Sequence, residues 1–599
     1  MRVVAIALVL LLASKAFAQT EVADAAMRQD AASVRSLVRE GFDVNAPQAD
    51  GATALHWAAY YGNAELARFL LESGADHAAA NRNGSTALWL AASRGDAGVI
   101  RELLDAGADA NEALPLGRRP LMLAARAGSI DAVRALLDAG ADPNAKEEER
   151  GTSALMQAAD QGHADVITLL AENGADVAAV SAAVFRDGRT AALGKSGDPR
   201  NAVRRQVIAI ICDEPSPDLS TLRELIAASS EDEVIADLAD ANFVVSTEDI
   251  CSRMQRGALG FVGGFSGGSR PERQPDGGEL TALVYAARAG SIDAARALLD
   301  AGADINQVTR YGWSPLLAAT QNRNYQMGAF LIDNGADVNI ANKGGWTNLY
   351  LATDNRNVEG GDYPTRAPDM DHLDYIRLLL DSGARVNARL IESTETRTVF
   401  TNQWLDEEGA TAFLRASQSG DVELMRLLLE YGADPHINTE LGVTPLSVAA
   451  GIGWVEGVTS EWSTEQTVEA VRLLLELGID PNHQADTGRV ALHGAAHKGS
   501  TEVVRILVEA GARMDIRDFG NTDNRGSPEL AAHTWLPIDY ADGLVRVGVQ
   551  SAIPHPETAE VLRNLMIEAG LETPPVGRTL ESICIVEVCS PDYNPVEYN

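Results

Sequence analysis

Apolar residues along this chain come in paired short bursts. In DGATALHWAAYYGNAELARFLLESGAD (residues 50–76) the first burst puts Leu55, Ala58 and Ala59 on one face at helical spacing. The second runs from Glu65 to Glu72. Thr53 stands where an N-cap residue belongs, and Gly62 and Gly74 permit left-handed stops, so the stretch predicts two helices of about two or three turns. Helices that short have little stability alone in water. The pair must bury its apolar stripe against a neighbour.

The neighbours follow in phase. The closing glycine recurs at Gly41, Gly74, Gly107, Gly140 and Gly174, in steps of 33, 33, 33 and 34 residues. It returns at Gly302, Gly335, Gly383, Gly432, Gly478, Gly511 and Gly570. TALHWAA, SPLLAAT, TPLSVAA and VALHGAA precede second helices, and GADPN (140–144), GADIN (302–306) and GADVN (335–339) follow them. This unit resembles the ankyrin repeat, whose usual form is Thr-Pro-Leu-His-x-Ala over about 33 residues. The resemblance implies an all-α solenoid of about 11–12 stacked helix pairs with β-hairpin-like loops on one side.

The pattern divides the chain. Residues 1–18 read as a signal peptide, 19–184 as a first block of about five repeats and 185–278 as an inserted segment. Residues 279–575 read as a second block of about six to seven repeats, and 576–599 as a tail. GALGFVGGFSGGSRPERQPDGG in the inserted segment has linker composition, so proteolysis is expected first between Gly257 and Gly278, leaving two separate blocks. In the second block the glycine steps lengthen to 48, 49 and 46. The added residues are NVEGGDYPTRAPDM (357–370), EWSTEQT (461–467) and WLPIDYADGLVRVGVQSAIPHP (535–556) between helices, and LIESTETRTVFTNQWLDEE (390–408) in a hairpin.

MRVVAIALVLLLASKAFAQT has one Arg, an apolar run and Ala16-Phe17-Ala18 before Gln19, as an export signal cleaved after Ala18 would. The mature protein is then periplasmic or secreted, and the style suggests a bacterium. A formal charge of −36 repels phosphate backbones and argues against nucleic acid. Much of that acidity is the repeat's own GAD aspartates. Cys212, Cys251, Cys584 and Cys589 all lie outside the repeats, and an even number in an exported chain favours disulfides. Pairing Cys212 with Cys251 and Cys584 with Cys589 is the simplest of three connectivities.

Candidate chemistry dissolves on inspection. Gly264-Phe265-Ser266-Gly267-Gly268 has the G-x-S-x-G spacing but sits in a glycine-serine linker, without the strand and helix a nucleophile elbow needs. GRTAALGKS (188–196) has one residue too many for a phosphate loop. His493 and His497 share a helix face, yet His493 occupies the ordinary repeat histidine position, like His56. No cofactor or metal is implied, and the chain reads as a non-enzyme.

What remains is surface. The resemblance places partner contacts at hairpin tips and near the ends of first helices. That selects Tyr60 and Tyr61 early, and Tyr311, Trp313, Trp346, Trp404, Trp454 and Trp462 in the second block. Tyr363 and Trp535 fall in or beside insertions, while Trp57 and Trp89 read as packing residues. The expectation is an exported monomer that holds a protein or peptide partner in the second block's concave groove. The alternative is an accessory or carrier for an exported enzyme, with the specific activity in 185–278.

Overall fold

The structure, a computed structural model, describes residues 20–184, 277–357, 366–392, 405–455, 462–520, 534–545 and 553–578. Within them twenty-four α-helices form twelve pairs. Repeats 1 to 5 have first helices Glu21–Met27, Ala54–Tyr60, Ala87–Arg94, Pro120–Ala127 and Ala154–Gln161. Repeats 6 to 9 begin with Ala282–Ala289, Pro315–Gln321, Asn348–Arg356 and Ala412–Gln418. Repeats 10 to 12 begin with Pro445–Ala450, Ala491–Lys498 and Pro537–Ala541. First helices stack on first helices and second on second, so one apolar core runs continuously through the stack.

The local rules hold at each turn of the chain. Thr86, Ser153, Thr281, Ser314, Thr347, Thr411 and Thr444 cap first helices with their side-chain oxygens. Thr53 is extended at the N-cap position and forms a capping box with His56, whose Nδ1 also lies 2.9 Å from the Thr53 hydroxyl. First helices close in the left-handed region, as at Gly62 (φ +67°). Gln29 and Arg323 take that conformation without being glycine, at φ 60° and 59°.

The GAD-x-N ending is a clamp between repeats. Asn45 Nδ2 donates to the Gly74 carbonyl at 3.0 Å, and Asn45 Oδ1 accepts from the Asp76 N–H at 2.7 Å. Asp76 Oδ1 in turn accepts from its own Ala78 N–H at 2.9 Å. The same two-way bond recurs from Asn144 to Gly174 and Asp176, and from Asn387 to Gly432 and Asp434. So the aspartates that make the chain acidic also fix its turns.

Repeats 5 and 6 are direct neighbours. Asp160 and Arg288 form an ion pair at 2.6 Å across the junction, and the Ser181 N–H donates to the Leu280 carbonyl at 2.9 Å. Strand β1 (Ala183–Val184) pairs antiparallel with β2 (Gly277–Gly278), with Val184 opposite Gly277. Both ends of segment 185–276 therefore meet at one hairpin tip. The end repeats of the two blocks thus share a packed interface.

A correction concerns residues 535–556. Pro537–Ala541 is the first helix of repeat 12, not part of an insertion between helices. Its Leu-Pro-Ile-Asp-Tyr-Ala lacks the usual hydroxyl cap, and the Leu536 N–H is held instead by Asp539 Oδ2 at 2.7 Å.

Candidate recognition surface

The residue two before each first-helix closing position forms a column along the open side of the stack. In repeats 1 to 4 it is Met27, Tyr60, Ser93 and Arg126, all exposed. In repeats 5 and 6 it is Asp160 and Arg288, paired with each other and half-buried. In repeats 9 and 11 it is Gln418 and His497, 4% and 1% exposed. The same position faces solvent at one end of the molecule and is covered at the other.

The covering is partly visible. Leu405, which re-enters from the lengthened hairpin, reaches the ends of the first helices of repeats 9 and 10. A Cβ on Gly453 would stand 2.8 Å from its Cβ. Leu405 and Glu407 are themselves buried. At the hairpin's other limb the Ile391 and Glu392 N–H groups donate to the Gly344 carbonyl, and Tyr311 Oη donates to Glu392 at 2.7 Å.

Beneath lies a polar core. Arg415, 1% exposed, donates to Asp354 Oδ1 at 2.8 Å, to Ser419 Oγ at 2.9 Å and to the Asn357 carbonyl. Arg356 meets Asp421 at 2.7 Å, and Asn357 Nδ2 donates to the same carboxylate at 3.2 Å. Buried charge is tolerated only when paired and hydrogen-bonded this fully. The signal was present in the sequence. Where repeats 2 to 6 place Ala59, Ala92, Ala125, Ala159 and Ala287 against the core, repeats 7 and 9 place Thr320 and Ser417. Both hydroxyls bond back to the carbonyl four residues earlier, at 2.9 and 2.8 Å.

Several expected contact residues serve this interior. Trp313 and Trp346 are 2% and 0% exposed, which corrects their placement as projecting tips. Trp346 meets Tyr350 edge-on at 5.0 Å. Tyr311 is buried and fastens Glu392. Trp462 is half-exposed but works as a fastener too: its N–H donates to Asn357 Oδ1 at 2.8 Å and its ring lies over Arg356 at 4.4 Å. Trp454 is half-buried against His497. Trp535 is buried, and its carbonyl lies 3.1 Å from His493 Nε2. These rings tie insertions and hairpins to the scaffold rather than wall a free groove. Trp404, Tyr363, Cys212, Cys251, Cys584 and Cys589 lie outside the described residues, as do Gly264–Gly268 and residues 188–196.

Tyr60 and Tyr61 remain at the surface, 43% and 37% exposed. They form one cluster with the half-buried Trp57: Tyr61 stacks on it at 5.9 Å, Tyr60 meets it edge-on at 5.8 Å, and the two tyrosines touch at 5.1 Å. Each ring is held. Trp57 Nε1 donates to Gln48 at 2.7 Å, Tyr61 Oη to the Met27 carbonyl at 3.0 Å, and Arg94 lies over the Tyr60 ring at 5.3 Å. Trp57 is thus a half-exposed member of this patch and not the packed ring its helix position suggested.

The histidines are structural. His56 Nδ1 accepts from the Thr53 N–H at 3.1 Å, which makes Nε2 the donor to the Ser85 carbonyl at 3.0 Å. His493 repeats the arrangement, taking the Val490 N–H at 3.0 Å and reaching the Trp535 carbonyl. Burial holds both in the neutral form, and His493 is pushed down to about 4. With both ring nitrogens used on backbone, His493 has no lone pair for a metal.

Stacked helix pairs of one design, presenting one continuous face, define a repeat-built recognition scaffold. The family model described as Ankyrin repeats (3 copies) matches residues 22–113, 90–181, 266–342, 283–390 and 461–526, and the single Ankyrin repeat matches 408–440. These matches take in more than half of the chain, and it belongs to the ankyrin-repeat family. Ankyrin repeats generally mediate protein–protein interaction, and no catalytic family is indicated. Among curated proteins, none matches the chain. Among the described residues, no helix is long and apolar enough to cross a membrane.

Proposed function

We propose that the protein is an exported, monomeric scaffold that binds a protein or peptide partner on the open inner face of repeats 1 to 4. The observation that carries this is the helix-end column, exposed from Met27 to Arg126 and closed at Gln418 and His497. The groove first expected to bind, in the second block, holds this chain's own Leu405 and Glu407. The first half offers a rigid aromatic cluster instead. Rings already fixed by Gln48, Met27 and Arg94 lose little freedom on binding, which favours them as anchors.

The test is capture of the partner with wild-type protein and with Tyr60→Ala/Tyr61→Ala. Anchor rings typically contribute about 2 kcal/mol or more, so binding should weaken at least about thirtyfold. Unchanged binding would move recognition elsewhere. Export rests on residues 1–18 alone and is checked by intact mass: the mature chain should start at Gln19. A second reading makes the protein an accessory or carrier for an exported enzyme with the specific activity in 185–278, and the pairing of Val184 with Gly277 favours that segment as an attached unit. Partner capture surviving the removal of that segment would set this second reading aside.

A further inference from the structure

The proposed face has a chemistry that narrows its partner. Three residues five before the closing glycines, Trp57, Leu90 and Leu123, make a half-exposed apolar stripe across repeats 2 to 4. Beside it the exposed Arg94 and Arg126 stand at first-helix ends in adjacent repeats. Neither forms an ion pair among the described residues, and Arg94 is steadied by the Tyr60 ring. Of the acids nearby, Asp160 is paired with Arg288, while Asp24 and Glu112 keep their charge but are held by Gln48, Thr20 and Thr86 rather than by either arginine. In a chain of formal charge −36, Arg94 and Arg126 place on this strip two cations that no ion pair among the described residues takes up.

We propose that the face takes an extended, acidic polypeptide segment, its apolar side chains on Trp57, Leu90 and Leu123 and its carboxylates against Arg94 and Arg126. The proposal rests on the functional reading above and specifies the partner's chemistry. Packed helices lie about 8–10 Å apart, and an extended chain advances about 3.3 Å per residue, so each repeat spans about three ligand residues. Acidic residues about three apart would therefore meet the two arginines, where guanidinium can hold carboxylate by paired hydrogen bonds. The remaining negative surface would repel the same segment elsewhere, which places it by exclusion as well as attraction.

The experiment selects from a display library of random twelve-residue peptides against the full-length protein. The enriched peptides are then measured against Tyr60→Ala/Tyr61→Ala, Arg94→Gln/Arg126→Gln and Arg94→Glu/Arg126→Glu. Enriched peptides should be net acidic. They should lose at least about tenfold in affinity with the glutamines and more with the glutamates, and weaken as salt is raised. Selection on the glutamate variant should switch to basic peptides. Circular dichroism confirms that each variant is folded, and the glutamine pair stands if the glutamate pair is not. Neutral or basic peptides that still need Tyr60 and Tyr61 would overturn the acidic class and leave the face intact. Peptides indifferent to both sets of changes, or no enrichment at all, would overturn both.

Discussion

Repeats 2 to 5 and repeats 8 to 11 share one sequence motif and one stacking geometry, yet they treat the same helix face in opposite ways. In the first group the face carries Tyr60, Ser93, Arg94 and Arg126 in solvent. In the second it carries Asp354, Arg415, Gln418 and His497 in the interior, with Leu405 lying over it. The repeat motif sets the backbone, and insertions decide whether the face is surface or core. A closed face needs polar partners for whatever it buries, which is why Arg415 has Asp354, Ser419 and Asn357 around it. An open one needs only residues worth meeting.

The largest expected effect separates tip position from tip exposure. Trp346→Ala should destabilise the second half by roughly 3–5 kcal/mol, since a buried indole leaves a cavity. Trp346→Phe should cost less than the alanine change, because a ring still fills most of the site and the indole N–H has no acceptor to lose among the described residues. Urea unfolding followed by hydrogen exchange in repeats 7 and 8 checks this. An alanine variant as stable as wild type would mean the ring is not packed there.

Acid should act on the closed half next. Burial disfavours the charged form of His493, so its folded pKa of about 4 lies below the unfolded value of about 6.5. Its contribution is complete above about pH 6.5, declines as pH falls and is gone below about 4. The window amounts to on the order of 3 kcal/mol. His372 shifts the same way, also by burial. His493→Gln should be less stable at pH 7 and lose this part of the acid sensitivity. Equal pH dependence in both proteins would contradict the assignment.

Smaller effects belong to the junction and the open half. Replacing 185–276 by Asn-Gly should close Val184 and Gly277 in a two-residue hairpin and change stability by less than about 1 kcal/mol. Loss of the boundary between repeats 5 and 6 in hydrogen exchange would show that the segment supports the stack. Tyr60→Ala/Tyr61→Ala should also be modest, on the order of 1 kcal/mol, because it removes ring contacts to the half-exposed Trp57 and the Tyr61–Met27 hydrogen bond.

Most of the architecture was legible because it is periodic. Gly62, Gly74 and Thr86 reveal their roles by recurrence, and the GAD-x-N clamp recurs with them. What was misread was a position inside the period: Trp313 and Trp346 stand one residue before the first-helix cap, where Ala52, Ser85, Thr152 and Leu280 are buried too, whereas Tyr60 stands at a first-helix end and is exposed. Continuity across repeats 5 and 6 was hidden for a different reason: a glycine-rich insertion looks the same in sequence whether it separates two stacks or leaves one from a hairpin tip. The polar substitutions at Thr320 and Ser417 were the available sign that the second face is interior.

The central claim is that recognition belongs to the open face. It is tested most directly by placing a photo-cross-linking amino acid at position 60 in one protein and at position 346 in another, then irradiating each in the cells that make it. The account predicts a discrete adduct with another polypeptide from position 60 and none from position 346. An adduct from position 346 alone would contradict it and return the binding site to the second half.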